Sequence, residues 1–216
     1  RVILILDALN QLEDNDNAPD LVWLPPVIPE NIRLILSTLP GRPLDDLRKR
    51  GWQELTIEPF NKEERRIFIE RYLKQYTREL SPSHSEPIAS ANQTANPLYL
   101  QALLEELKVV GRHEALGEII NHYLEARTIP ALYEKILDRY EGDYDRDREG
   151  LVQDAMSYIW AGRRGLTEEE LLNLLGTDGN PLPRALWSPL YLAAESSLVN
   201  RSGLINFFHD YFREAV

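Results

Sequence analysis

The 216-residue chain is 43% hydrophobic and 27% charged, proportions of a soluble globular protein with room for one large domain or two to three small ones. A net charge of −11 argues against general affinity for nucleic acid or an anionic membrane. The absence of cysteine excludes disulfides, thiolate zinc sites and cysteine nucleophiles and fits a cytoplasmic protein. No apolar run reaches the length of a membrane span, and the first residues lack the basic and small-residue signature of a signal peptide.

Residues 1–60 read as α/β. The run Val2 to Leu6 leads straight into Asp7, the pattern of a buried parallel strand that delivers one carboxylate to a sheet edge. An acidic loop follows, then a proline-rich stretch, VWLPPVIPEN, that forbids regular helix. A second buried strand is expected over Ile32 to Leu39, stopped by Pro40 and Gly41. LDDLRKRG reads as a short helix ended by Gly51, and ELTIEPF (54–60) as a third strand. Such a succession suggests a parallel sheet whose functional edge lies at the C-terminal ends of its strands.

Residues 61–141 switch to helical periodicity. Asn61 and Glu64 form a capping box, and Phe68, Ile69, Tyr72, Leu73 and Tyr76 repeat at helical spacing behind it. SPSHSEP reads as a loop, Asn96–Pro97 opens a second helix, and two more follow, which makes a small bundle. EGDYDRDRE (141–149) reads as a charged linker. Residues 142–216 then offer a helix, a second one capped by Thr167 and Glu170, and a third bent near Pro189. A hairpin turning at Arg201, Ser202 and Gly203 comes next, and three helices followed by a hairpin is the winged-helix pattern. The third helix carries Arg184 as its single cation, so no DNA-reading role is expected of it.

DYDRDREGLVQD imitates a calcium loop with Asp143, Asp145, Asp147 and Asp154. It lacks the glycine at position 6 and the glutamate at position 12, and Arg146 and Arg148 oppose a cation from within. His84, His113 and His122 have no ligand-spaced partners and read as ordinary surface or packing residues.

The order of these segments resembles the C-terminal two-thirds of a STAND-class P-loop NTPase, AAA+-related and NACHT-like or NB-ARC-like. VILILDALNQL looks like its Walker B segment, RLILSTLPG like the sensor 1 strand, ANPLYLQALLEEL like the proline-bearing motif of the helical lid, and FFHDYFREAV like the winged-helix segment with its histidine. The fold expected from the resemblance is α/β plus all-α: part of a parallel nucleotide-binding sheet (1–60), a helical lid bundle (61–141) and a winged-helix domain (142–216). The resemblance implies ATP or ADP with Mg²⁺ as cofactors of the intact protein. Asp7 would hold the metal, Ser37 or Thr38 would sense the γ-phosphate, Pro97 would pack near adenine and His209 would contact the β-phosphate of ADP. It also implies a preceding phosphate-loop segment of the same polypeptide as partner, and nucleotide-dependent homo-oligomerisation.

The chain departs from that pattern in two places. Asn10 and Gln11 stand where many relatives carry acids, one of which polarises the attacking water, and neither can act as a base. Leu39 stands where some relatives place an arginine, with Arg42 three residues on. Glu13 and Asp14 are the nearby acids. A slow switch therefore fits better than a fast motor, and no catalytic residue is assigned. The alternative is a protein-interaction scaffold whose nucleotide chemistry has decayed.

Overall fold

The computed structural model describes residues 1–109 and 115–216, so His113 lies outside the described residues. The chain divides into two compact units, Arg1–Glu58 and Pro59–Val216. Among the described residues no helix is long and apolar enough to cross a membrane.

In the first unit, β1 (Val2–Leu6) and β2 (Ile32–Leu36) pair in parallel, with Val2 opposite Ile32 and Leu6 opposite Leu36. Parallel strands need a long crossover, and the acidic and proline-rich segments supply it with two short 3₁₀ turns, Leu9–Gln11 and Ala18–Asp20. A small core of Leu9, Leu21 and Leu24 forms here, backed by Leu34, Leu36, Leu47 and Trp52. Helix α1 (Arg42–Lys49) ends at Gly51, whose φ of +67° is the left-handed turn that glycine adopts without strain. The largely buried Arg50 ties this end to the crossover by donating to the carbonyls of Leu24 (2.9 Å) and Leu21 (2.8 Å).

Three expectations about the first 60 residues are corrected. The first strand is not buried: Ile3 is 64% and Ile5 69% exposed. The segment 54–60 forms no strand, and its Leu55 and Ile57 are more than four-fifths exposed. Strand propensity produces a strand only where the segment pairs with a neighbouring edge, and among the described residues no strand pairs with this one. The second strand is not buried either, with Ile35 56% exposed, and it ends three residues early, at Leu36.

The second unit is mainly helical. Helix α2 (Lys62–Lys74) starts at a complete capping box: Asn61 Oδ1 accepts from the N–H groups of Glu63 and Glu64, and Glu64 Oε2 accepts from Asn61 N–H. SPSHSEP is not a loop but opens α3 (Pro82–Ser90). Pro82 sits in the first turn, where its missing N–H costs nothing, and the helix buries Ile88 and Ala89 completely. Glu86 of α3 accepts from Arg66 of α2 (2.8 Å) and also pairs with Lys62, clamping the two helices together.

Helices α4 (Pro97–Val109), α5 (Leu116–Leu124) and α6 (Ile129–Tyr144) complete the first group. A buried polar network joins them. Glu106, 4% exposed, accepts from Arg139 Nε (2.5 Å) and Nη2 (3.1 Å) and from the Tyr123 hydroxyl (2.9 Å). The expected linker at 141–149 is instead the last turn of α6 and a capped turn. Asp145 accepts from the N–H groups of Gly150 (3.2 Å) and Val152 (3.0 Å), which starts α7 (Leu151–Ala161) without a break in packing.

The remaining elements run β3 (Leu166–Thr167), α8 (Glu168–Leu175), α9 (Arg184–Ala193), β4 (Leu198–Arg201), β5 (Leu204–Phe207) and α10 (Asp210–Ala215). The sheet is antiparallel with order β3-β5-β4, and the hairpin turns through Ser202 and Gly203, both at positive φ. Gly165 admits no side chain, since a Cβ there would lie 2.5 Å from the Ile205 carbonyl oxygen. The helices on both sides of residue 142 share one hydrophobic core, from Leu100 and Leu104 through Leu132 and Ile136 to Leu171 and Trp187. Phe212, fully buried, locks α10 in place with edge-on ring contacts to Tyr133 (4.9 Å) and Phe207 (5.5 Å).

Candidate functional site

Asp7 follows β1 directly and Ser37 follows β2 directly, and the in-register pairing brings the two side chains together. The Ser37 hydroxyl donates to Asp7 Oδ1 and accepts from the Ala8 N–H (2.8 Å). Backbone bonds fix the corner on both sides: Ser37 N–H donates to the Leu6 carbonyl (3.0 Å) and Leu9 N–H to the Ser37 carbonyl (2.9 Å). Ala8 is held left-handed, with φ +58°, a conformation costly for a residue with a Cβ and kept by surrounding bonds.

Thr38 is turned away from this pair, since its hydroxyl donates to the Leu39 carbonyl (3.0 Å). The Leu39 N–H in turn donates to Asn10 Oδ1 (3.2 Å), so Asn10 braces the loop after β2. Arg42 is also committed. It makes a two-pronged contact with Asp20 (3.0 and 2.7 Å) and a third bond to Asp14 (2.7 Å). The Arg42 hydrogen bond lowers the Asp20 carboxyl from its ordinary value. Asp14 is thereby tied to a cation, and Glu13 accepts from Asn15 (2.9 Å), so neither acid is held in place of Asn10 or Gln11. Sequence reasoning missed the Asp20 role, although an arginine across a loop from an acid-rich run was a visible signal.

Asp7 is exposed, and among the described residues its side chain bonds one group, the Ser37 hydroxyl. Among the described residues no group of three His, Asp or Glu side chains could hold a metal ion. A lone carboxylate beside a hydroxyl suits Mg²⁺, which keeps several waters and takes one or two protein carboxylates together with phosphate oxygens. The donor set therefore fits that ion only in the company of a phosphate.

Pro97 and His209 belong to the second unit. Pro97 is the exposed first residue of α4, and the Asn96 side chain caps the helix by accepting from Leu98 N–H (2.9 Å). His209 stands immediately before α10 and gives that helix only its backbone carbonyl, which accepts from Phe212 N–H (3.2 Å). The imidazole makes no cap hydrogen bond and lies edge-on to the Phe208 ring, 4.4 Å between centroids. Burial holds its pKa below the ordinary value, partly offset by Asp210. In the calcium-like segment, Asp143 pairs with Arg139 and Asp154 with Arg148, while Asp145 serves the backbone.

No family model and no solved structure matches the chain significantly. A TPR repeat-containing protein of Dictyostelium discoideum is 39% identical over 217 residues, covering 100% of this chain and 13% of that protein. Tetratricopeptide repeat protein 41 of Mus musculus is 24% identical over 250 residues, covering 99% of this chain and 18% of its own length. NACHT and WD repeat domain-containing protein 2 of Homo sapiens is 25% identical over 185 residues, covering 83% of this chain and 10% of its own length. The chain thus spans less than a fifth of each of these relatives, and it is distantly related to proteins named for a NACHT domain.

Proposed function

We propose that the chain is part of an ATP/ADP-dependent signal-transduction switch of the STAND class. The observation that carries the reading is the Asp7–Ser37 pair at the C-terminal ends of two parallel strands. A carboxylate and a hydroxyl at that edge are the chemistry a Mg²⁺-nucleotide takes. Distant relatedness to NACHT-named proteins supports it. The order α7, β3, α8, α9, β4, β5 supports a winged-helix assignment for the last third.

Mg²⁺, when bound, would neutralise phosphate charge. Asp7 would ligate it directly or through water, and Ser37 would orient that carboxylate while offering its hydroxyl to the γ-phosphate. Thr38, whose hydroxyl is spent on Leu39, is the weaker candidate for that contact. Pro97 would lie near adenine and His209 near the β-phosphate, with lid and winged helix closing over bound ADP and opening with ATP to permit homo-oligomerisation. The phosphates would be cradled by a phosphate loop on another segment of the polypeptide. No side chain is assigned as the hydrolytic base, since Asn10 braces Leu39 and Gln11 is an amide. DNA is not proposed as a partner, as Arg184 of α9 is already paired with Glu168 (3.0 Å).

The scaffold reading is favoured by the same absence of a base. Calorimetric titration of the full-length protein with ADP and with ATP, with and without Mg²⁺, decides between the two. Mg²⁺-dependent ATP affinity that is lost in Asp7→Asn supports the switch. No nucleotide binding by the full-length protein overturns it in favour of the scaffold.

A further inference from the structure

His209 alone is a poor anchor for a diphosphate. Its imidazole is held toward the neutral form by burial, and the residue after it is the acidic Asp210. A multiply charged phosphate group entering that corner requires a permanent cation. One stands a single turn further on. Arg213 of α10 donates its backbone N–H to the His209 carbonyl (3.4 Å), and its guanidinium lies over the indole of Trp160, 5.4 Å from the ring centroid. Nη2 reaches the Trp160 carbonyl at 3.4 Å, a long contact, and among the described residues Nε and Nη1 donate to no acceptor. Among the described residues no carboxylate pairs with Arg213, and both Arg213 and Trp160 are exposed.

The arrangement is pre-organised. Stacking on Trp160 restricts the side chain before any ligand arrives, and the buried Phe212 fixes the helix that carries Arg213 and is entered through His209. We propose that Arg213 is the cationic arm of the diphosphate site that begins at His209, presented by Trp160 as a platform. The proposal rests on the nucleotide reading above. Its bland rival is that Arg213 only covers the C-terminal carbonyls of α7 and packs on an exposed indole.

The test uses the full-length protein, stripped of nucleotide and titrated by calorimetry with ADP and with AMP. Arg213→Met keeps the stem that covers Trp160 and removes the charge, while Arg213→Lys keeps a charge without the planar fork. The Met variant is expected to weaken ADP binding about tenfold or more, the value of a lost charge-assisted hydrogen bond, and to leave AMP binding unchanged. The Lys variant should recover part of that loss. Unchanged ADP affinity in the Met variant overturns the proposal, and so does an equal loss for ADP and AMP accompanied by a lower Tm without ligand. If the wild-type protein binds neither nucleotide, the nucleotide reading fails and the Arg213 proposal with it. If it binds ADP and the Met variant is indifferent, only the Arg213 role is lost.

Discussion

The Ser37 hydroxyl donates to Asp7 Oδ1 across the C-terminal ends of β1 and β2, thirty residues apart in sequence and adjacent in space. The same oxygen of Ser37 accepts from Ala8 N–H and so holds a left-handed, non-glycine backbone in place. Ser37→Ala removes both bonds. In the full-length protein it is expected to weaken Mg²⁺-dependent ATP binding by about 1 kcal/mol, while Asp7→Asn abolishes the Mg²⁺ dependence itself. Titrations of both variants with and without Mg²⁺ check the order of these effects.

These residues by themselves are expected to show no ATP hydrolysis and only feeble nucleotide binding. Asp7 and Ser37 offer one carboxylate and one hydroxyl, whereas most phosphate contacts in such sites come from a glycine-rich loop and its lysine. Tight, Mg²⁺-dependent ATP binding by the isolated chain would count against the proposed division of the site.

Arg139→Met should be among the most damaging substitutions in the second unit. It would leave the Glu106 carboxylate, nearly inaccessible, without its two-pronged partner, at a cost of about 3–5 kcal/mol. Replacing both residues together by apolar ones should cost less than the single change, because no charge is then stranded. Urea unfolding of the two variants beside wild type measures the difference.

The pH dependence of the second unit should carry a His209 signature. Burial lowers the folded-state pKa below the ordinary 6.5, so the unfolded chain binds the proton more readily. The corresponding stability is present above 6.5 and is lost as pH falls through the lowered folded value. Thermal melts at pH 7 and pH 5 should therefore differ more in wild type than in His209→Gln. An identical pH slope in both proteins would show that the imidazole titrates as it does in water.

Gly165→Ala is expected to break the β3–β5 pairing. The added Cβ would meet the Ile205 carbonyl oxygen at 2.5 Å, and φ of +93° suits only glycine, so the loss should be about 3 kcal/mol or more. Circular dichroism melts resolve a change of that size.

Local chemistry was the most legible part of the sequence. The capping boxes at Asn61–Glu64 and Thr167–Glu170 form as their spacing requires, because each is decided within four residues. The parallel β1–β2 pair and the hairpin at Ser202–Gly203 follow from apolar runs bounded by turn residues. The failures are of another kind. Prolines in SPSHSEP suggested a loop, but Pro82 fits a helix start and tertiary burial of Ile88 and Ala89 supports the rest. Acids and arginines at 141–149 suggested a linker, whereas Asp145 turns the chain tightly between two packed helices. ELTIEPF has strand propensity and no partner. At the site, the Asp7–Ser37 contact required the register of two strands, and the capture of Arg42 by Asp14 and Asp20 required the path of the crossover. Neither is encoded in any short window.

The uncovered apolar residues of the first unit bear on how this chain behaves in a test tube. Ile3 and Ile5 on β1, and Leu55 and Ile57, lie in short β-prone segments that are exposed and, at Leu55 and Ile57, pair with no strand among the described residues. Unpaired N–H and C=O groups beside apolar side chains template intermolecular pairing. Preparations confined to these residues should therefore sediment or form β-rich assemblies as concentration rises, while the helical unit alone, Pro59–Val216, should remain monodisperse. Charged replacements at Ile3 and Ile5 should raise the concentration at which the Asp7 corner stays in solution.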